Sequence, residues 1–217
     1  AQTVPPCTLE ITDAETFARD WTVIDVNSDV SANTWAYNDG NAMYMQDKSN
    51  AADDWLIAPA VTLEAGKAYK VSAYVKHSST FGSDKQKIEL KIGTAPTVEG
   101  LTTRLVYDES FQSRLFVEKS GTFSPAESGV FYVGLRCYSE SYNGDLYFQK
   151  IVIEEAPVYP AQITDLSIVA GERGAMSATL SWTWPSSDHL GGALSNLLGA
   201  KIYRGTDLVA TLDTATV

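Results

Sequence analysis

The feature that most constrains this chain is strict alternation with period two. Val71, Ala73 and Val75 alternate with Lys70, Ser72, Tyr74 and Lys76. Ile88, Leu90 and Ile92 alternate with Lys87, Glu89 and Lys91, and Phe131, Val133 and Leu135 with Tyr132, Gly134 and Arg136. Successive side chains of a strand point to opposite faces, so each segment has one dry and one wet face. That is the signature of antiparallel sheet; parallel strands read as continuous apolar runs.

The same reading predicts strands at 21–26, 35–38, 42–46, 55–63, 103–108, 115–123 and 146–153. Turn signals separate them: Asn38-Asp39-Gly40, Glu64-Ala65-Gly66, Glu99-Gly100, Ser120-Gly121 and Asn143-Gly144. Helical periodicity is confined to one short turn at 13–20. About ten strands in roughly 150 residues predict an all-β, antiparallel two-sheet sandwich. Hydrophobic residues make up 44% of the 217, enough to fill its core.

A boundary follows. The stretch 156–160 contains Pro157 and Pro160 directly after Glu154 and Glu155. Proline cannot donate into a ladder, so this stretch reads as a stiff linker between residues 1–155 and 161–217. A second strand series begins with Ile163, Leu166 and Ile168 and continues through Leu180-Ser181-Trp182-Thr183-Trp184-Pro185 and Lys201-Ile202-Tyr203-Arg204-Gly205.

The formal net charge is −11, which repels phosphate backbones and argues against nucleic acid as a partner. No apolar run is long enough for a membrane-spanning helix, so no transmembrane segment is expected in this chain. Residues 1–6 read either as a mature N-terminus left by removal of a secretory leader or simply as the start of the chain, and do not by themselves show export. Two cysteines are too few for a disulfide scaffold or a cysteine-based zinc site.

Three stretches of the first module together resemble a known family. They are Trp21-Thr22-Val23-Ile24-Asp25-Val26-Asn27-Ser28-Asp29 with Trp35, then Asp53-Asp54-Trp55-Leu56-Ile57-Ala58-Pro59 with Leu63, Gly66 and Tyr69, then Gly129 to Tyr138 leading into Leu146 to Ile153. Their order and spacing resemble the cleaved adhesin or choice-of-anchor J domains, which include the gingipain haemagglutinin-adhesin modules. The resemblance covers residues 3–155 and implies a β jelly roll. The second module resembles a fibronectin type III domain, an immunoglobulin-like β unit, with first, second and third strands at 160–166, 180–185 and 202–204. That resemblance implies that Trp182 and Tyr203 face a core. About 58 residues follow the linker against the roughly 100 such a sandwich takes, so the module reads as partial.

Asp25-x-Asn27-x-Asp29 sets three oxygen-bearing side chains at alternate positions, as calcium loops do. It is no EF-hand, lacking the sixth-position Gly and the distal Glu. The alternative is a polar turn capped by aspartates. The resembled family carries an Asp-rich loop here and an acidic pair in its last strand, where this chain has Gln149 and Lys150. Asp53-Asp54-Trp55 has a structural reading, with carboxylates satisfying loop N–H groups while Trp55 buries its ring, and a metal- or partner-binding one. Tyr74, Tyr132 and Tyr138 fall on the wet phase of their strands and are candidates for stacking on sugar rings. His77 and His189 lie far apart in different modules, and no nucleophile elbow or cofactor loop is present, so no enzymatic activity is expected.

Cys137 shares the inward phase of Phe131, Val133 and Leu135. In the resembled family the chain's beginning packs beside the late strands, which would bring Cys7 to it. A Cys7–Cys137 disulfide is therefore expected in an exported protein, against the alternative of two free core thiols. The functional expectation is a secreted or cell-surface adhesion module binding an extracellular protein or glycan. Two alternatives stand beside it: a carbohydrate-binding accessory module of a larger hydrolase, and a structural spacer.

Overall fold

A computed structural model of the chain describes residues 3–29, 33–45, 48–78, 83–194 and 197–213. It divides into two compact units, Ala1–Ala156 and Pro157–Val217. The first contains β1 (Cys7–Glu10), α1 (Ala14–Asp20), β2 (Thr22–Asp25), β3 (Trp35–Asn38), β4 (Asn41–Tyr44), β5 (Asp54–Ile57), β6 (Val61–Leu63), β7 (Ala68–His77), β8 (Gln86–Gly93), β9 (Thr103–Phe111), β10 (Val117–Phe123), β11 (Gly129–Cys137) and β12 (Leu146–Ala156).

These strands form two six-stranded antiparallel sheets. The first runs β10-β7-β12-β4-β3 and the second β2-β5-β11-β8-β9. Each sheet is built on one long strand with an unusual division of its edges. One edge of β12 takes the whole of β7, and the other takes β4 against 146–148 and β1 against 150–153. One edge of β11 takes β8, and the other takes β5 against 134–137 and β6 against 129–131. The all-β, antiparallel sandwich expected from the alternation, and the jelly roll that the resemblance implies, are what form.

The inward phases are those read from the sequence. Val71, Ala73, Val75, Ile88, Leu90, Ile92, Phe131, Val133 and Leu135 all belong to one buried core between the sheets. The boundaries differ for physical reasons. The predicted 55–63 strand is two, β5 and β6, because Pro59 has no N–H for the ladder. Trp21 caps α1, its N–H donating to the Phe17 carbonyl at 3.1 Å, rather than opening β2. The helix begins at Asp13, whose side chain accepts from Thr16 N–H at 2.8 Å. β12 runs on to Ala156 because β7 is long enough to pair with Glu154, Glu155 and Ala156. The predicted end of the 42–46 strand, Gln46, lies outside the described residues.

A second, smaller core lies on the outer side of the second sheet. Trp55, Ile57 and Leu101 are buried there, with Ile24, Val98 and Tyr132 packed against them. Leu101 sits at the end of the β8–β9 connection, which folds back over the sheet. Gly134 makes this fit: a Cβ there would lie 2.4 Å from Leu101 Cδ1 and 3.1 Å from Trp55 Cε3.

The second unit has two hairpins, β13 (Ser167–Ala170) with β14 (Ala178–Ser181) and β15 (Gly199–Arg204) with β16 (Asp207–Asp213). The expected first strand at 160–166 is not a strand. Its Ala161 N–H goes to the Ser187 carbonyl and its Asp165 carboxylate accepts from Thr183 N–H, so the segment is held by loop contacts. Tyr203, expected inside, is 55% exposed, and no hydrophobic residue of this unit is buried among the described residues. No helix of the described residues is long and apolar enough to cross a membrane.

Candidate functional site

The outer face of the second sheet carries a dense aromatic and charged surface. At its centre is Glu89 of β8, an ionic side chain only 3% exposed. Its carboxylate accepts from Arg104 Nε at 2.8 Å and lies 3.4 Å from Arg136 Nη1 and 3.6 Å from Lys91 Nζ. Arg136 also donates from Nε to Asp53 Oδ1 at 2.7 Å. A nearly buried carboxylate is tolerable only when paired in this way.

Rings stand among these charges. Tyr107 of β9 stacks on Tyr138, just beyond β11, with centroids 6.1 Å apart and planes 22° apart. The Arg104 guanidinium lies 4.7 Å from the Tyr107 centroid, and that of Arg136 lies 5.1 Å from Tyr138 and 5.7 Å from Trp55. Tyr107 is 51% exposed, whereas the Tyr138 hydroxyl is buried without a partner among the described residues. Burial pushes the Tyr138 phenol far above its ordinary range, aided by the neighbouring Tyr107.

The three tyrosines picked out in the sequence do not share one site. Tyr74 lies on β7 in the first sheet, under the Lys150 ammonium at 5.1 Å. Tyr132 is spent in the small outer core beside Trp55 and Leu101. Of the three, only Tyr138 joins the aromatic surface, and its partner Tyr107 was missed. The reason is a bulge. Leu90 pairs with Val106 but Lys91 pairs with Arg104, which leaves Leu105 as an extra residue. Residues three apart normally face opposite ways; the bulge brings Arg104 and Tyr107 onto one face. The sequence signal was present only as aromatic and cation on a strand of uncertain phase.

The Asp25 loop is a hydrogen-bonded turn. Asp25 Oδ1 accepts from Ser28 N–H at 2.6 Å, with Ser28 at φ 51°. Asn27 donates to Asp29 Oδ2 at 3.1 Å and to the Ala51 carbonyl at 2.7 Å. Beside it, Asp54 pairs with Asp25 in the ladder and is fully buried. Its Oδ2 accepts from Asp53 N–H at 3.1 Å, and its Oδ1 has no partner among the described residues. Burial, reinforced by Asp25 and Asp29, raises the Asp54 carboxyl to about 7. Among the described residues no group of three or more His, Cys, Asp or Glu is arranged to hold a metal ion. Calcium ligation would therefore have to draw on amide or carbonyl oxygens as well. Lys150 stands on the other sheet, over Tyr74.

Both cysteines are free, which corrects the expected disulfide. Cys7 pairs with Ile153 in the first sheet, whereas Cys137 ends β11 in the second, at the end where β12 begins with Leu146. Ile153 lies seven residue steps along the strand from Leu146, roughly 23 Å at the usual rise, far beyond disulfide reach. Burial pushes the Cys137 thiol up to about 12. It belongs instead to a buried polar network. Gln86 Oε1 accepts from Cys137 Sγ at 3.3 Å and from the Ser139 hydroxyl, while Gln86 Nε2 donates to the Asn143 and Gly144 carbonyls at 3.1 and 2.6 Å. His77, 1% exposed, contacts the same Asn143 carbonyl through Nε2.

The fold and this surface define a class: an antiparallel jelly roll presenting an aromatic and ionic sheet face. Neither a protein-family model nor a curated protein matches the sequence. Among solved structures, the chain is similar to the K3 cleaved adhesin domain of Lys-gingipain from Porphyromonas gingivalis, at 12% identity and a TM-score of 0.48 over 66% of this chain and 92% of that one. It is similar to the K1 cleaved adhesin domain of the same protein, at 14% identity and a TM-score of 0.48 over 70% and 99%. A carbohydrate-binding module of family 4 follows at 14% identity and a TM-score of 0.45, over 69% and 95%.

Proposed function

We propose that this chain is a non-catalytic recognition module of a secreted or cell-surface protein, binding an extracellular glycan through the outer face of the second sheet. The observation that carries it is the stacked Tyr107–Tyr138 pair, half open to solvent and held in place by Arg104 and Arg136. Rigid aromatic area costs little ordering entropy on binding, and a ring with an apolar body and a polar tip suits a sugar. A glycan array on the purified chain tests it, followed by titration of Tyr107→Ala. Binding that Tyr107→Ala abolishes supports the reading. Protein ligands bound without any glycan would point to adhesion through protein contacts, and failure of every binding assay to a spacer. The second unit, by its two hairpins, is proposed as a partial fibronectin type III-like module.

One observation supports calcium as a ligand. Asp54 Oδ1, buried and without a hydrogen-bond partner among the described residues, lies beside the turn of Asp25, Asn27 and Asp29. A cation there would relieve the crowding of these carboxylates. Millimolar calcium should then raise the melting temperature, since a ligand bound only by the native state stabilises it. Asp25→Ala should erase the shift, and an unchanged melting temperature in the unmodified chain would end the idea.

A further inference from the structure

The corner of the face around Arg104 has a chemistry of its own. Glu89 lies beneath Arg104, Arg136 and Lys91, so water meets the cations and not the carboxylate that binds them. The neighbouring acids are engaged: Asp53 with Arg136, Glu140 with Lys87 at 2.8 Å, and Glu109 with the Tyr107 hydroxyl at 2.7 Å. Arg104 differs from the other two. It commits Nε to Glu89, and its side chain remains 57% exposed, against 24% for Lys91 and 30% for Arg136. Its plane is fixed from below by Glu89 and from the side by the Tyr107 ring. A guanidinium with Nε anchored keeps its terminal N–H groups as a fork, the shape that takes a carboxylate or sulfate with two parallel hydrogen bonds. The Leu105 bulge sets this fork beside an exposed ring.

Building on the glycan reading above, we propose that this corner selects an acidic saccharide. Arg104 takes the carboxylate or sulfate, and the open part of the Tyr107 ring packs against the sugar that bears it. The chain carries a net charge of −11, yet at this corner Glu89, Asp53 and Glu140 are each paired with a cation, and Arg104 is the cation that stands most open to an incoming anion.

The test is calorimetric titration of the whole chain with galacturonate, glucuronate and sulfated oligosaccharides, each against its carboxyl-reduced or desulfated counterpart. At least one acidic probe should bind about tenfold or more tightly than its neutral counterpart, the scale of a charge-assisted hydrogen bond. That preference should shrink with added salt. Arg104→Gln should remove that preference; it also takes a partner from the buried Glu89 carboxylate, so its melting temperature should fall, and circular dichroism checks that the variant remains folded. Arg104→Lys, which keeps the charge and loses the fork, should retain only part of the preference. Tyr107→Ala should weaken both forms. Equal affinity for acidic and neutral probes would overturn the acid assignment and leave the glycan reading standing. An acid preference that survives Arg104→Gln would overturn it too, by placing the anion elsewhere. Binding of no saccharide would overturn both.

Discussion

Gly134 and Leu101 offer a quantitative check on the outer core. At Gly134 a methyl group would sit 2.4 Å from Leu101 Cδ1, well inside contact distance, and 3.1 Å from Trp55. Gly134→Ala therefore overpacks the site and should cost about 1–3 kcal/mol. Leu101→Ala empties a position that is 2% exposed and should cost about 2–4 kcal/mol. The two changes share one volume, because the added methyl enters space the leucine vacates. The double variant should thus be more stable than the sum of the singles by about 1–2 kcal/mol, a coupling typical of residues in contact. Urea denaturation of the four proteins, followed by far-ultraviolet circular dichroism, measures it. Strict additivity would refute the packing argument, since it would mean that the β8–β9 connection does not rest on Gly134.

Asp54 should make stability depend on pH in calcium-free buffer. Its folded value of about 7 lies above the ordinary value of 3.8, so the native state holds a proton that the unfolded chain has released; stability is then fully present below about 4 and falls as pH rises to 7, by about 4 kcal/mol. Asp54→Asn should flatten that dependence in melts between pH 4 and 8, and an unchanged slope would count against it. Thiol titration in denaturant without reductant should find two reactive groups per chain, and none would mean a disulfide after all. Gln86→Ala removes the buried amide shared by Cys137, Ser139, Asn143 and Gly144; it should cost about 2–4 kcal/mol and speed amide exchange in residues 138–145, whereas unchanged exchange would show that the network does not hold this loop.

The sandwich was legible because its information is local. Alternation in 70–76, 87–92 and 131–136 names a buried phase without reference to any partner strand. The site was not, because its geometry depends on pairing. Nothing in Thr103-Arg104-Leu105-Val106-Tyr107 says which residue is extra, and only the register against β8 brings Arg104 and Tyr107 together. A second bulge at Gln149 does the same on β12, turning Lys150 toward Tyr74. Tyr132 is on the wet phase as read, but a loop from elsewhere in the chain covers it. Likewise Cys7 and Cys137 fit a disulfide by composition and phase. The distance along β12 that separates them is a property of topology, not of either residue's surroundings.

The way β12 divides its edge has a kinetic consequence. The strand that completes the first sheet is the last of its unit, yet it holds β1, β4 and β7 in place. β10 reaches the sheet through β7 alone, and β3 through β4 alone. A chain emerging from its N-terminus can form the β3–β4 and β8–β9 hairpins early. Its first strand, however, has no neighbour until residues 150–153 arrive. Folding must wait for the most distant contacts in the unit, which makes it slow relative to a protein of local pairings.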